Sequence, residues 1–265
     1  RQPPARQPRR GDWRKEWTRP LFRTMAIDDL PEIHKLCAKT GAFAAEYAPL
    51  NCFAWIWPYK MQIDFIGGFL VPRFLQGDSR IYVCPLGEGD VLPIVERLKQ
   101  VERCLGSARL AILCNARQAD RLQHGFSSTR MPEFDNYIYN AQDLILLRGQ
   151  KYHAKRNLIA QFKRKYDWRF EPLGDGNVDD CRAVERRWVS QNAAACDRGI
   201  CDESSTIERI LTYRNEFSCV GGILYVEDRP VAFSLGSFPR PGLLDTHVEK
   251  ADVGYIGAYA MILRE

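Results

Sequence analysis

Apolar residues recur at three- and four-residue intervals along much of this chain, and each such run predicts a helix. Leu30, Ile33 and Cys37 predict one over 27–38, with Asp28 or Asp29 at its cap and Pro31 in the opening turn. Val91, Ile94, Val95, Leu98, Val101 and Leu105 predict a second, capped by Asp90 and ended by Gly106. A short helix over 116–123 follows, and further helices are predicted over 179–192 and 204–217, with Asp180 and Ser204 as caps. Strand-like runs occupy 65–71, 80–84 and 110–114; from Cys219 onward three more are separated by the turns EDRP and PRPG. This alternation gives a first α/β unit ending near Arg130 and a second after it, so the fold class is α/β (α+β). The aromatic run NCFAWIWPYKM is read as core, and AAACDRGICDES as an irregular loop over a cleft.

One helical pattern is dense in positive charge. Tyr152, Ile159, Phe162 and Tyr166 form an apolar stripe, and Arg156 falls on that same stripe. A guanidinium facing inward needs a partner. Arg156 is therefore expected to meet a carboxylate or to open onto a cleft that takes a phosphate or carboxylate; the alternative is a solvated basic helix with Arg156 reaching past Tyr152. The apolar segment that begins at Asp135 is expected to run into this helix without a break.

Between Arg148 and Arg169 stand eight Lys or Arg and one Asp, a local +7 against +5 for the whole chain. Residues 1–23 carry a further +6 and four prolines, which predicts a flexible basic arm suited to lipid head groups or RNA phosphates. The remainder sums to −8, so positive charge is concentrated in two places.

At 265 residues, 45% hydrophobic and 27% charged, the composition is that of a soluble globular protein with one large or two small domains. No run reaches the roughly 18 apolar residues of a membrane span, and no signal peptide opens the chain. Nine scattered cysteines without a C-x-x-C pair predict free thiols in a reducing cytoplasm. A start at Arg1 without Met and a stop at Glu265 inside a helical pattern predict a fragment.

The run DNYIYNAQDLILLRGQKYHAKRN over 135–157 and the run THVEKADVGYIGAY over 246–259 are similar to two motifs of the phosphatidylglycerol lysyltransferase C-terminal-domain family, in the same order. NCFAWIWPYK and CPLGEGD give weaker support, and the resemblance extends from about Leu30 to the last residue. It implies two tandem GNAT-like (acyl-CoA N-acyltransferase-like) units over 24–130 and 131–265, each a mixed, mainly antiparallel sheet flanked by helices, the second truncated. It also implies transfer of an amino acid from aminoacyl-tRNA to a hydroxyl of a membrane lipid such as phosphatidylglycerol, with no bound cofactor. The expected setting is cytoplasmic, with peripheral contact to anionic lipid at the inner face of the membrane.

On an extended strand Asp245, His247 and Glu249 share one face, while Thr246, Val248 and Lys250 share the other. His247 is the candidate general base and Glu249 the candidate anchor for the donor's α-ammonium, with Lys250 or Lys151 stabilising negative charge. Lys151, Tyr152, His153, Lys155, Arg156, Asn157, Lys250 and Tyr255 make up the expected substrate-binding set, and no metal is expected. The alternative for His247 and Glu249 is simple pairing with the basic helix. No Ser or Cys stands in a nucleophile motif, which favours direct transfer. A coenzyme-A-using GNAT places Arg or Gln ahead of a G-x-G or G-x-A turn. ADVGYIGAY has Gly254, Gly257 and Ala258 but neither of those residues before them, which counts against acetyl-CoA. A donor held on the positive helix by phosphate contacts and stacking fits better. An acyl-CoA-dependent N-acyltransferase and a non-catalytic module binding nucleic acid or anionic membrane are the alternatives. The leading reading requires Arg156 and His247 to border one hollow.

Overall fold

A computed structural model describes residues 22–192 and 198–265. The basic arm expected over 1–23 lies outside them except for its last two residues, as do residues 193–197 of the expected loop. Strands β1 (Gln62–Ile66), β2 (Phe69–Gln76), β3 (Ser79–Val83) and β4 (Ala111–Leu113) form one four-stranded sheet in that order, antiparallel except for the β3–β4 pair. Strands β5 (Trp168–Pro172), β6 (Val220–Val226), β7 (Arg229–Arg240) and β8 (Leu243–Ala251) form a second, antiparallel throughout.

Helices α1 (Leu30–Thr40), α2 (Pro49–Ala54), α3 (Ile56–Tyr59), α4 (Leu92–Cys104) and α5 (Ala116–Leu122) belong to the first half of the chain; α6 (Ala141–Leu146), α7 (His153–Lys165), α8 (Val178–Gln191), α9 (Arg198–Thr212) and α10 (Ala258–Arg264) belong to the second half. Across the two halves, α1 packs on β7 and α2 on α9. Local signals set several ends. Pro31 sits in the first turn of α1 and Gly41, at φ +67°, stops it, while Asn115 and Gln118 close a reciprocal capping box on α5.

The two faces of the second sheet face different partners. Ile223, Phe233, Leu235 and Val248 project into a core shared with Ile33, Leu50, Phe53 and Leu70 of the first half and with Cys181, Val184, Ile207 and Ile210 of α8 and α9. Leu224, Val226, Ala232 and Ala251 project the other way, onto Ile159 and Phe162 of α7 and Met261 and Ile262 of α10. Polar bonds reinforce the shared core: Arg209 donates to the Phe53 carbonyl at 2.9 Å and Arg240 to that of Ala42 at 2.8 Å.

Several expectations need correction. The strand expected over 65–71 is a hairpin, because Gly67 and Gly68, at φ +58° and +83°, turn the chain between β1 and β2. Strand β5 was not expected at all. α8 takes Asn177 at its N-cap position rather than Asp180, and α9 already begins at Arg198, so Ser204 lies inside it. The segment before α7 is interrupted: α6 ends on Leu147 at φ +47°, and Gly149 at φ +87° redirects the chain. Of the four aromatic residues in the run NCFAWIWPYKM only Phe53 is deeply buried, with Cys52, Ala54, Ile56 and Met61 around it; Trp57 is 73% exposed. The end of the basic arm is packed, with Phe22 buried under the Arg73 guanidinium at 4.1 Å and Arg23 bridged to Ile63. Among the described residues no helix is long and apolar enough to cross a membrane, and the eight described cysteines are free.

Candidate functional site

α7 is amphipathic in the expected sense. It buries Ile159 and Phe162, follows a turn that buries Tyr152, and places Lys163, Arg164 and Lys165 in its last turn, where the helix dipole favours cations. Arg156 meets no carboxylate; it donates to the carbonyls of Leu147 and Gly149, the latter at 2.8 Å, and so satisfies the C-terminal end of α6. It also borders a groove of about 520 Å³, with apolar walls from Ile145, Leu146 and Ile159 and further cations in Lys163 and Arg264. Lys151 bonds Asp143 at 3.1 Å and lies over the Tyr152 ring. His153 and Asn157 are exposed and face each other one turn apart at 3.4 Å.

Pairing along β8 is irregular in a way that strand alternation does not anticipate. Leu235 faces Val248 and Gly236 faces Thr246, leaving His247 as an extra residue in a bulge. A bulge shifts the alternation, so Asp245 and His247 point toward α2, while Glu249 points to the opposite face. There it comes under the charge of Lys155 on α7. The expectation that Asp245, His247 and Glu249 share one face is therefore wrong, and so is the hollow shared by Arg156 and His247. α7 lies on one side of the sheet and the imidazole on the other.

His247 is enclosed. Its side chain is 1% exposed, Nδ1 lies 2.8 Å from Asn51 Oδ1, and Nε2 lies 2.7 Å from Ser237 Oγ. Asn51 Nδ2 donates to the Ala45 carbonyl and to Asp245 Oδ2, which fixes its amide oxygen as the acceptor. Nδ1 then carries the hydrogen, and Nε2 accepts from the serine hydroxyl. Burial lowers the His247 pKa to about 4, and burial together with the charge of Glu46 raises that of Asp245 to about 6. The ring is neutral and both nitrogens are occupied.

On the Glu249 face, the stretch 246–259 packs against α7, the helix into which the stretch 135–157 runs. Gly257, at φ +92°, lies so close to α7 that a Cβ there would stand 2.5 Å from the Leu158 carbonyl oxygen. Tyr255 stacks on Tyr166 at 5.2 Å, and Tyr166 on Phe162 at 5.0 Å. Burial raises the Glu249 pKa, and the charge of Lys155 opposes that rise. The turn after β8 is held by Asp252, which is 3% exposed. Burial alone would raise its pKa, but bonds from Gln191 and the Gly254 amide and the charges of Arg229 and Arg187 bring it below the ordinary value. Lys250 turns the other way, into the shared core, where it bonds Glu203 at 2.8 Å and lies 3.4 Å over the Trp188 ring.

Ser237, Trp188 and Glu203 carry no motif in the sequence, and Asn51, although it opens the run NCFAWIWPYK, is not singled out there; only the fold shows their part. No cluster of three or more metal-binding side chains occurs among the described residues.

Comparison with known proteins fits this arrangement. The structure is similar to a crystal structure of a conserved protein of unknown function from Bacteroides thetaiotaomicron, with TM-score 0.85 at 27% identity over 92% of this chain and 84% of that one. It is also similar in fold to the C-terminal domain of a protein designated a lysylphosphatidylglycerol synthetase from Agrobacterium fabrum, with TM-score 0.57 at 14% identity over 89% of this chain and 72% of that one. No curated protein sequence matches. Residues 53–265 match the family described as phosphatidylglycerol lysyltransferase, C-terminal, and on that match the chain belongs to that family, which is associated with lysyltransferase activity on a lipid.

Proposed function

We propose that this chain moves an amino acid from aminoacyl-tRNA to a hydroxyl of an anionic phospholipid, working at the seam between α7, the end of β8 and α10. What supports this reading is that the second family-like stretch, 246–259, packs on α7, the helix into which the first, 135–157, runs. Glu249 feels the charge of Lys155 within the first stretch, and Gly257 and Tyr255 touch Leu158 and Tyr166 of the chain just after it. We read the two sheets as GNAT-like units, with only the second carrying the reaction.

The acceptor hydroxyl attacks the ester carbonyl of the donor, the new C–O bond forms, and the bond to the ribose oxygen breaks. Glu249 takes the proton from the acceptor and returns it to the departing ribose oxygen. A carboxylate shifted upward by burial suits that exchange better than an ordinary one. Lys155, beside it, steadies negative charge on the carbonyl oxygen, and Lys151 and the exposed face of α7 hold tRNA phosphates. The groove bounded by Ile145, Leu146, Ile159 and Lys163 offers an apolar wall and a cation, the complement of a phospholipid's chains and phosphate, while Arg264, which also lines it, is bridged to Glu265 at 3.0 Å. Exposed Tyr137, Ile138 and Tyr139 precede α6 in the chain and suit contact with a membrane surface. His247 positions β8 against α2 instead of moving protons.

Against a coenzyme-A donor, the amides of Gly254, Tyr255 and Ala258 are already bonded within the turn, so they are not free to cradle a pyrophosphate. The test is incubation with a mixture of charged tRNAs and phosphatidylglycerol vesicles, followed by mass spectrometry of the lipids. Aminoacylated lipid is expected, and Glu249→Gln should lower its rate by roughly 10²- to 10⁴-fold with an unchanged melting temperature. No product from any charged tRNA, or acetyl transfer from acetyl-CoA in its place, would overturn the reading.

A further inference from the structure

The turn that joins β8 to α10 carries Tyr255 and Gly257 onto α7, and it is wound around one side chain. Asp252, 3% exposed, accepts the Gly254 amide on Oδ1 at 2.9 Å, and its main-chain carbonyl accepts the Tyr255 amide at 3.1 Å. Its amide donates to the Val231 carbonyl at 2.8 Å, so the same residue ends the pairing of β8 with β7. That turn alone would account for an aspartate here.

More converges on it than a turn requires. From α8, Gln191 Nε2 donates to Oδ1 at 2.8 Å, and Arg187 Nε lies 3.6 Å from Oδ2. Arg229, at the start of β7, lies 3.5 Å from the same oxygen. Arg187 Nε is buried and makes no hydrogen bond among the described residues, so it depends on this carboxylate for its counter-charge. Trp188, next to it on α8, donates from Nε1 to the hydroxyl of Tyr259 in the first turn of α10, at 2.9 Å. α8 thus grips the turn at both ends, and between those grips Gly257 presses on the Leu158 carbonyl and Tyr255 on the Tyr166 ring. Lys155, whose charge acts on Glu249, stands three residues before Leu158 on α7.

We propose that Asp252 is a positioning residue of the transfer site: braced by Arg187, Arg229 and Gln191, it holds the β8–α10 turn against α7 and so fixes Glu249 relative to Lys155. The inference rests on the reading of Glu249 as the proton carrier and adds what keeps that carboxylate in place; Asp252 itself touches no substrate. Glu249 lies three residues before it on β8, so the brace acts on the strand directly and on α7 through Gly257. Asp252→Asn keeps the shape of the side chain, but its amide sets donors against the donors of Arg187 and Arg229, which then lose their counter-charge. A slackened turn lets α7 shift, and a misplacement of about 1 Å at reacting groups costs on the order of 10²-fold in rate.

Three measurements separate this role from plain stability. In lipid aminoacylation, Asp252→Asn should lower kcat by about 10- to 100-fold per folded molecule, with KM for charged tRNA and for phosphatidylglycerol changed by less than about threefold. In a Glu249→Gln background the same substitution should cost less than about threefold more, because the group it positions is gone. Gln191→Ala removes one exposed partner of the carboxylate; it should lower kcat less, with the same pattern, and serves if Asp252→Asn fails to fold. In hydrogen exchange, the Gly254 and Tyr255 amides should exchange at least about tenfold faster in Asp252→Asn, while the Met261 amide inside α10 keeps its wild-type rate. An undiminished kcat, a full further loss on top of Glu249→Gln, or unchanged exchange at Gly254 and Tyr255 overturns the assignment. Faster exchange at those two amides, with no lipid product from the wild type, supports the brace and counts against aminoacyl transfer.

Discussion

On the side of the second sheet that faces α2, α8 and α9, ionisable groups are enclosed and matched to neutral or opposite partners. His247 lies between Asn51 and Ser237, Asp245 on Asn51, and Lys250 on Glu203. On the side that faces α7 and α10, cations stand in solvent, and Glu249 sits half-buried with Lys155 near it. Both sides draw on the same nine-residue strand, β8, and the difference between them comes from one extra residue at position 247. The contrast shows that burial alone does not mark a reactive group. The histidine is the more perturbed residue, yet its nitrogens are used up in holding the fold. The glutamate is less perturbed, but it borders the surface that a charged substrate can reach.

The contact between the outer helices should give way most dramatically. Gly257→Val would drive a side chain into the Leu158 carbonyl at a backbone angle that L residues rarely adopt. It should cost about 3 kcal/mol or more and abolish lipid aminoacylation, seen as a fall in melting temperature together with loss of product. Retained activity would separate the function from the α7–α10 seam.

His247→Ala tests the enclosed side. It leaves Asn51 and Ser237 short of a partner and opens a cavity, so urea denaturation should show a loss of about 2–4 kcal/mol. The rate per folded molecule should change by less than about threefold, since the proposed reaction routes its proton through Glu249 and not through this ring. A hundredfold loss of rate at unchanged stability would return His247 to the role of general base.

The smallest effect lies in the pH dependence of stability. The folded pKa of His247, about 4, is below its ordinary 6.5, so its contribution to stability rises as pH goes from about 4 to 6.5. Asp245 runs the other way: its folded pKa of about 6 exceeds its ordinary 3.8, so its contribution falls as pH goes from about 4 to 6. In the wild type the two slopes oppose each other. Asp245→Asn should unmask the histidine as a gain on the order of 2 kcal/mol between pH 4.5 and 6.5, measured by urea denaturation at each pH. A flat profile in that variant would mean that the imidazole is not sealed.

Much of the fold was legible because the long helices repeat apolar residues at regular intervals; α1, α4 and α7 lie within a few residues of their expected positions. β5 was hidden because Trp168 and Phe170 alternate with Arg169 and Glu171 next to a basic helix, so charge masks the strand pattern. The site was legible only by composition. Glu249 lies within the influence of Lys155 on the basic helix, which matches the alternative of simple pairing for that residue, but the bulge that turns His247 away adds a residue without any sequence signature. Asn51 holds that histidine from 196 positions away.

The apolar interior running unbroken from Ile33 and Leu70 to Phe233 and Val248 has a mechanical consequence. Two halves that share one interior cannot swing apart like jaws, because any such opening would wet Phe53, Leu50 and Ile223 together. Substrates must therefore approach along the rim of the second sheet, over the helices and turns at its edge, and the first half acts as a fixed buttress.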